Sequence, residues 1–390
     1  MIVRRGFKTE LALNNRQRSY CHQHAGTARY AYNWGLARKQ AAYRAGKKTP
    51  HAKELHKELN QLKQTELSWM YSVSKCAPQE ALRNLDEAFA NFFRRVKEKK
   101  TGKRRGQVGY PHFKSKKRSK QSFRLTGTIR VFEKAIQLLR LGVLRLKERG
   151  YLPEASEDVH ILSATVSEKA GRWFVSVQVE MKIEQPKKGE RPVAGVDLGV
   201  NRMAQVSDGT AFENPRALKK ALKKIKRLQR IVSRRQQGSA NHQQAVQQLA
   251  KAHYRVANIR KDALHQATTW LAKAKSAIVL EDLNVIGMLK NHNLAQAIAD
   301  VGMGEFKRQM EYKGKWYGCE VLFADRFYPS TKRCSRSGHV KKHMHPGERT
   351  YHCDECGIRM DRDLNAAIHL EQLYFSDEQE TTASSAGSNA

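Results

Sequence analysis

The chain has 390 residues, enough for two or three domains and a sizeable core. Lys plus Arg number 73 against 37 Asp plus Glu, a formal net charge of +36 that calls for a polyanionic partner. No apolar run approaches the roughly 18 residues of a membrane span, no lipidation signal is present, and Met1-Ile2-Val3-Arg4-Arg5 lacks the apolar stretch of a signal peptide, so a membrane partner is not expected.

No internal repeat is visible. Residues 1 to 12 alternate (Ile2, Val3, Phe7, Leu11) and predict an opening strand. Residues 15 to 98 read as helical, with breaks at Thr49-Pro50 and Ala77-Pro78. Within them, Ala81, Leu82, Leu85, Phe89, Phe92, Phe93 and Val96 form a stripe of 3.6-residue period, read as core. From Arg94 to Lys120 there are thirteen basic residues against one acid, Glu98, with Gly102, Gly106, Gly109 and Pro111 between them. Such a segment cannot bury itself and reads as a loop or an arm that orders on binding.

From Gln121 to Ile183 the pattern changes to short strands over 123–125, 128–132, 143–146, 159–162 and 173–179, as in a small antiparallel barrel or sheet. A charged linker follows over 184–192, with Pro186 and Pro192. Val193 to Asp208 reads as a strand hairpin, Pro215 marks a helix start, and Leu218, Leu222, Ile225, Leu228 and Val232 keep helical spacing on a very basic helix. A second helix runs to about Lys275, then Ser276–Leu280 reads as a buried strand, 302–317 as a helix and 320–324 as a strand. The polar tail after Phe375 is expected to be disordered.

Three acids stand in telling contexts. Val193–Val200 is an apolar run ending in Asp197-Leu198-Gly199, so a carboxylate sits at a strand end beside a turn that Gly permits. Ala277-Ile278-Val279-Leu280-Glu281 is a buried strand ending in an acid. Asp361-Arg362-Asp363-Leu364-Asn365-Ala366-Ala367 begins a helix, with Asp361 placed to cap it. An acid at the edge of an apolar strand is costly unless paired or metal-bound. Several converging acids would repel each other, divalent cations would relieve that, and such a site can activate water against a phosphodiester. Singly, each acid could equally be a cap or a solvated strand end; the ordered set of three is the specific signal.

Six cysteines in so long a chain do not form a disulfide framework, and Cys21, Cys76 and Cys319 read as ordinary small residues. Cys334, Cys353 and Cys356 fall close together, which suggests a metal site in a reducing compartment. Cys353-Asp354-Glu355-Cys356-Gly357 is a complete knuckle. Cys334-Ser335-Arg336-Ser337-Gly338 carries Ser337 where a second Cys would complete its pair. His339, His343, His345 or His352 could supply a fourth ligand, as could water.

The 94–120 arm is placed to neutralise phosphates without reading sequence. Its Tyr110 and Phe113 could stack on bases or anchor the arm. Tyr30 and Asn33 on an early helix are candidates for base contacts, whereas Trp34 reads as core. The basic helix pair from 216 to 261 could line a groove for a duplex or present a solvated face.

Taken in order, the three acidic motifs resemble RuvC motifs one, two and three of the TnpB (OrfB) family, relatives of the type V CRISPR effector nucleases. The resemblance runs from about residue 5 to 372 and includes Phe7-Lys8-Thr9-Glu10-Leu11, Tyr32–Ala37, Phe113–Arg118, Ser122–Leu125, Gly304-Glu305-Phe306, Leu322–Ser330 and Asp363–Ala367. It implies a multidomain α+β fold: an N-terminal helical lobe, a small antiparallel β-barrel (wedge), and an RNase H-like (RuvC) α/β domain with an inserted zinc-ribbon-like lobe. The implied division is 1–14 first strand of the wedge, 15–112 helical recognition lobe with the basic arm, 113–185 rest of the wedge, 186–328 RuvC-like domain, 329–358 zinc-ribbon-like insertion, 359–375 end of the RuvC-like domain and 376–390 disordered tail. It further implies an RNA-guided DNA endonuclease encoded by an insertion sequence. Asp197, Glu281 and Asp363 would be catalytic and hold two Mg²⁺, and Cys334, Cys353 and Cys356 would hold Zn²⁺. Tyr30, Asn33, Lys114, Lys116, Lys117, Arg118, Phe123 and Arg124 would bind nucleic acid. The partners would be a guide RNA from the transposon end and double- and single-stranded target DNA, with no membrane, in a bacterial cytoplasm close to the nucleoid. Two other readings compete: a guided DNA-binding repressor without nuclease activity, and a transposase, whose acids would look the same.

Overall fold

The structure is a computed structural model. It describes residues 1–104, 106–184, 186, 191–326, 328–345 and 347–386, with side chains to 376. Most of the linker expected over 184–192, Phe327 of the 322–330 motif and the last four residues of the tail lie outside the described residues. The chain divides into two compact units, Met1–Ile183 and Glu184–Ala390.

The first unit runs β1 (Ile2–Ala12), α1 (Asn15–Arg44), α2 (Ala52–Leu62), a 3₁₀ turn at Ser68–Ser72, α3 (Cys76–Lys100), β2 (Ser122–Leu125), β3 (Ile129–Phe132), β4 (Ala135–Leu138), β5 (Gly142–Leu146), β6 (Val159–Lys169) and β7 (Arg172–Lys182). Asn14 starts α1 with a capping box: its side chain accepts from the Gln17 N–H at 2.8 Å while Gln17 reaches back to the Asn14 N–H at 3.2 Å. The break expected at Ala77-Pro78 falls just before it, between α2 and the start of α3 at Cys76. Pro78 sits in the first turn of α3, where no intrahelical N–H is needed. The apolar stripe of α3 is core in its first half, with Leu82 and Leu85 fully buried, and then emerges, Phe93 being exposed. On α1, a Cβ at Gly35 would lie 2.7 Å from Leu82, so the missing side chain lets α1 and α3 approach.

The seven strands form one antiparallel sheet of order β2-β6-β7-β1-β5-β4-β3. β1 pairs with β7 from Ile2↔Lys182 to Glu10↔Phe174 and then passes to β5 at Leu11↔Leu146. Leu144, Val175 and Val177 are fully buried in its core. The expected barrel is corrected here: β2 and β3 are the two edges, and no pairing between them closes the sheet among the described residues. Four-residue edge strands end the ladder before it can return on itself.

The second unit runs β8 (Ala194–Asp197), β9 (Arg202–Val206), β10 (Ala211–Glu213), α4 (Ala217–Arg234), α5 (Ala240–Ala274), β11 (Ala277–Glu281), α6 (Val285–Met288), α7 (Ala295–Val301), α8 (Met303–Tyr317), β12 (Glu320–Ala324), β13 (Thr350–His352), β14 (Arg359–Asp361) and α9 (Arg362–Ala386). Its main sheet has the order β10-β9-β8-β11-β12, with β8, β11 and β12 parallel. β11 is apolar throughout because both faces are covered. Ile278 and Leu280 join the core with Leu271, Phe306 and Met310 of α5 and α8, while Val279 meets Leu370 of α9. The helix α9 continues to Ala386, so the chain is helical over the first part of the segment expected to be disordered. Among the described residues, no helix is long and apolar enough to cross a membrane.

Candidate active site

β8 and β11 run parallel with Val196 opposite Leu280, so the next residues, Asp197 and Glu281, end neighbouring strands on the same side of the sheet. Asp363 enters from the first turn of α9. That helix lies directly on β8. A Cβ at Gly195 would fall 2.0 Å from the Ala367 carbonyl oxygen and 2.4 Å from the Glu371 nitrogen, so only glycine allows this approach. Asp361 caps α9 by accepting from the Asp363 N–H at 2.9 Å and the Leu364 N–H at 3.2 Å, and is itself held by Arg202 at 3.0 Å. Arg362 folds back onto Asp363 at 3.2 Å.

Asp197 and Asp363 are 7% and 9% exposed. Burial pushes the Asp197 carboxyl well above the usual carboxylate range. The charges of Glu281, then Asp363, push it further, Asp361 adds a smaller push, and Arg362 opposes them. Burial also raises Glu281, against a hydrogen bond from Ser330 that lowers it. The structure therefore brings all three sequence-marked acids into one electrostatic neighbourhood. A buried carboxyl raised by two neighbouring carboxylates favours a proton or a cation beside it, and the hard oxygen donors of the three acids suit Mg²⁺. Sequence reasoning missed Gly195, Ser330 and Asn365. Each is a small or neutral residue whose importance lies in what it approaches; Gly195 stands in the V-A-G-V-D run, and Ser330 and Asn365 in stretches that carry the resemblance, but nothing in the sequence assigned them a role.

Cys334, Cys353 and Cys356 form a second cluster whose sulfurs all lie within 4.8 Å of one another. Among the described residues it is the only group of three or more potential ligands drawn together that tightly, so the three acids stand more widely spaced. Cys334 follows the loop after β12, and the other two sit between β13 and β14. Among the described residues no histidine joins the cluster: His339 lies 3.8 Å from Glu355 and His352 3.6 Å from Asp354. Ser337 lies against the cluster: its hydroxyl is 3.4 Å from Cys353 Sγ and its N–H donates to Cys334 Sγ at 3.5 Å. The Cys356 N–H and the Ser337 hydroxyl hold the Cys353 thiol down to about 6, so it is a thiolate near neutral pH. Three soft donors, one already ionised, suit Zn²⁺.

In the first unit a cavity of about 700 Å³ is lined by Arg4, Arg5, Arg29, Lys114, Arg118, Lys120 and Arg124. Lys116 and Lys117 are exposed beside it in sequence. Lys114 lies 3.7 Å from the Tyr32 ring centroid, and burial lowers its pKa. The Asn33 amide is occupied by the arm, donating to Lys114 O at 2.9 Å and accepting from its N–H at 2.8 Å. Tyr30 is exposed and stands edge-on to Trp69 at 5.6 Å. Phe123 lines the same cavity but is only 3% exposed, its ring held in the core against His24 at 5.0 Å, while Arg124 beside it on β2 is half-buried. Tyr110 meets Phe89 and Phe92 edge-on at 5.5 and 5.2 Å, which anchors the arm to α3.

A mixed sheet with acids at the ends of its adjacent parallel strands and a third on the helix packed against them is an arrangement that can hold divalent cations against a phosphodiester, in a nuclease or a transposase alike. Family models agree with it: one described as a probable transposase matches residues 164–292, a Cas12f1-like TNB domain matches 304–370, and a helix-turn-helix domain matches 1–48. A Streptomyces pristinaespiralis protein named "Putative RNA-guided DNA endonuclease" is 34% identical over 94% of this chain and 89% of its own. InsQ of Escherichia coli K12, named in the same way, is 30% identical over 93% and 90%. The chain belongs to the TnpB (OrfB) family of RNA-guided DNA endonucleases. Looser overlaps link it to a Cas12f1–guide RNA–target DNA complex (TM-score 0.35, 14% identity, 95% of this chain and 99% of that one) and to the mini-RNA-guided endonuclease CRISPR-Cas_phi3 (TM-score 0.45, 10% identity, 95% and 92%).

Proposed function

We propose that this chain cuts DNA at sites chosen by a guide RNA from its own transposon end, with Asp197, Glu281 and Asp363 holding two Mg²⁺ ions. The observation that carries the reading is the convergence on buried Asp197 of Glu281 and Asp363, which raise its pKa from elements far apart in the chain. When bound, the divalent ions would polarise the phosphodiester and activate water for its hydrolysis. The protein's own part is to gather three carboxylates at the ends of two central strands, where burial and the other two acids disfavour the ionised form of Asp197. Asp361 fixes the helix that presents Asp363, and Arg362 balances part of the negative charge. The three cysteines would hold Zn²⁺ as a structural ion, with Ser337 near the fourth position. The basic cavity of the first unit and the exposed Lys116 and Lys117 would take phosphates of the nucleic acid, leaving sequence choice to base pairing. A guided repressor is disfavoured because none of the three acids is lost.

The test is purification of the chain from its host and sequencing of the RNA that comes with it. A defined transposon-end RNA, which then directs Mg²⁺-dependent cutting of a matching target, is the expected result. Strand-transfer products from transposon-end DNA without RNA would overturn the reading in favour of a transposase.

A further inference from the structure

The loop after β12 makes two contacts that capping and core packing do not explain. Ser330 is 2% exposed, and its hydroxyl donates to Glu281 Oε1. The loop around it is fixed by its own backbone: the Ser330 N–H donates to Tyr328 O at 2.9 Å, and the Lys332 and Arg333 N–H groups both donate to Pro329 O at 3.0 Å. Asn365, fully buried two residues beyond Asp363, spends its amide on the same loop. Its Nδ2 donates to Arg333 O at 2.7 Å, and its Oδ1 accepts from the Ser335 N–H at 3.0 Å. These two contacts flank Cys334, a member of the cysteine cluster.

We propose that residues 330–335 are a positioning strut: Ser330 orients the Glu281 carboxylate, and Asn365 locks the strut to the helix carrying Asp363. The inference rests on the reading of the three acids as a divalent-metal site. A glutamate has three side-chain torsions to order, and a fixed hydroxyl on one oxygen settles where the other points. Asn365 makes that hydroxyl's place depend on α9, so two of the three acids come to register through one short loop. The strut also starts the cysteine lobe, which gives that lobe a physical link to the acids beyond holding itself together.

The test uses the full chain with its RNA and Mn²⁺ alone as probe, titrated by electron paramagnetic resonance. Ser330→Thr and Ser330→Val have nearly the same shape and differ in the hydroxyl. Ser330→Thr is expected to bind Mn²⁺ like the parent. Ser330→Val is expected to bind it about 10–100-fold more weakly, with the Mn²⁺ needed for half-maximal cutting rising in step and guided target binding unchanged. Ser330→Ala is expected to match Ser330→Val, and it decides the matter if the added methyl does not fit. Parent-like Mn²⁺ binding by the variants without the hydroxyl, with only the melting temperature changed, would overturn the proposal. Asp197→Ala in the same titration separates the two ideas: parent-like Mn²⁺ binding there would defeat the metal-site reading itself.

Discussion

Asp197 shows how a single residue records what the site is for. Its carboxyl is held well above the ordinary value of 3.8 by burial, then by Glu281 and Asp363. Without a cation, the unfolded chain ionises this group first as pH rises, so folded stability falls as pH climbs from about 4 through the raised folded value. Asp197→Asn is therefore expected to raise the melting temperature of the metal-free protein at pH 7 to 8, and to lose the gain that Mg²⁺ gives the parent. Scanning calorimetry with and without Mg²⁺ checks this; a lower metal-free melting temperature in the variant would contradict it. Gly195 records the same site from the other side. Adding one methyl at 195 drives it into the α9 backbone, which cannot yield as a flexible side chain could. Gly195→Ala is expected to cost at least the ~1–3 kcal/mol of ordinary overpacking and to abolish cutting, read by chemical denaturation and a cleavage assay. The acids were legible in the sequence as an ordered set, two ending apolar strands and one starting a helix, whereas each alone could have been a cap or a solvated strand end. Gly195, Ser330 and Asn365 belong to no such set, and only their neighbours reveal them.

At the scale of elements, patterns of two and 3.6 residues found most strands and helices, including the long β1, the α4–α5 pair and the buried β11. They missed β4, whose four residues follow β3 after a two-residue turn, and β10, β13 and β14, each three residues long. Short strands carry too few alternations to read. Closure of the first sheet was not legible either, since it depends on which edges meet and not on any one strand's pattern. In the cysteine lobe, the sequence left the fourth ligand open among four histidines and water; the structure draws none of those histidines into the three-sulfur cluster and sets Ser337 against two of its sulfurs. Ser337→Cys is expected to complete a four-sulfur set and slow zinc loss to a chelator by at least tenfold. Zinc content after chelator challenge reads this out, and unchanged loss would mean that the fourth position is closed to a ligand from that residue. The arm is likewise two things at once: Tyr110 ties it to α3, while Lys116, Lys117 and Arg118 remain exposed. Replacing those three by Ala is expected to weaken RNA or DNA binding and flatten its salt dependence by a log–log slope of up to about three, without loss of folding. A filter-binding series in salt checks it, and an unchanged slope would remove the arm from the interface.

For the whole molecule, the net charge of +36 and the three acids pull in opposite directions, and the proposed function uses both. The positive surface draws a polyanion, whereas a small negative site repels it unless cations intervene. Each half of that statement was visible in the sequence, in composition for the first and in motif order for the second. What composition could not give was the meeting of residues 197, 281 and 363, which depends on two parallel strands and a helix crossing them at a glycine. The most direct measurement is guided cleavage of a matched target by the purified ribonucleoprotein in Mg²⁺, compared with Asp197→Ala, Glu281→Ala and Asp363→Ala. The parent is expected to cut, and each variant to bind the target with parent affinity and leave it intact. Undiminished cutting by any one of the three would contradict a shared metal site.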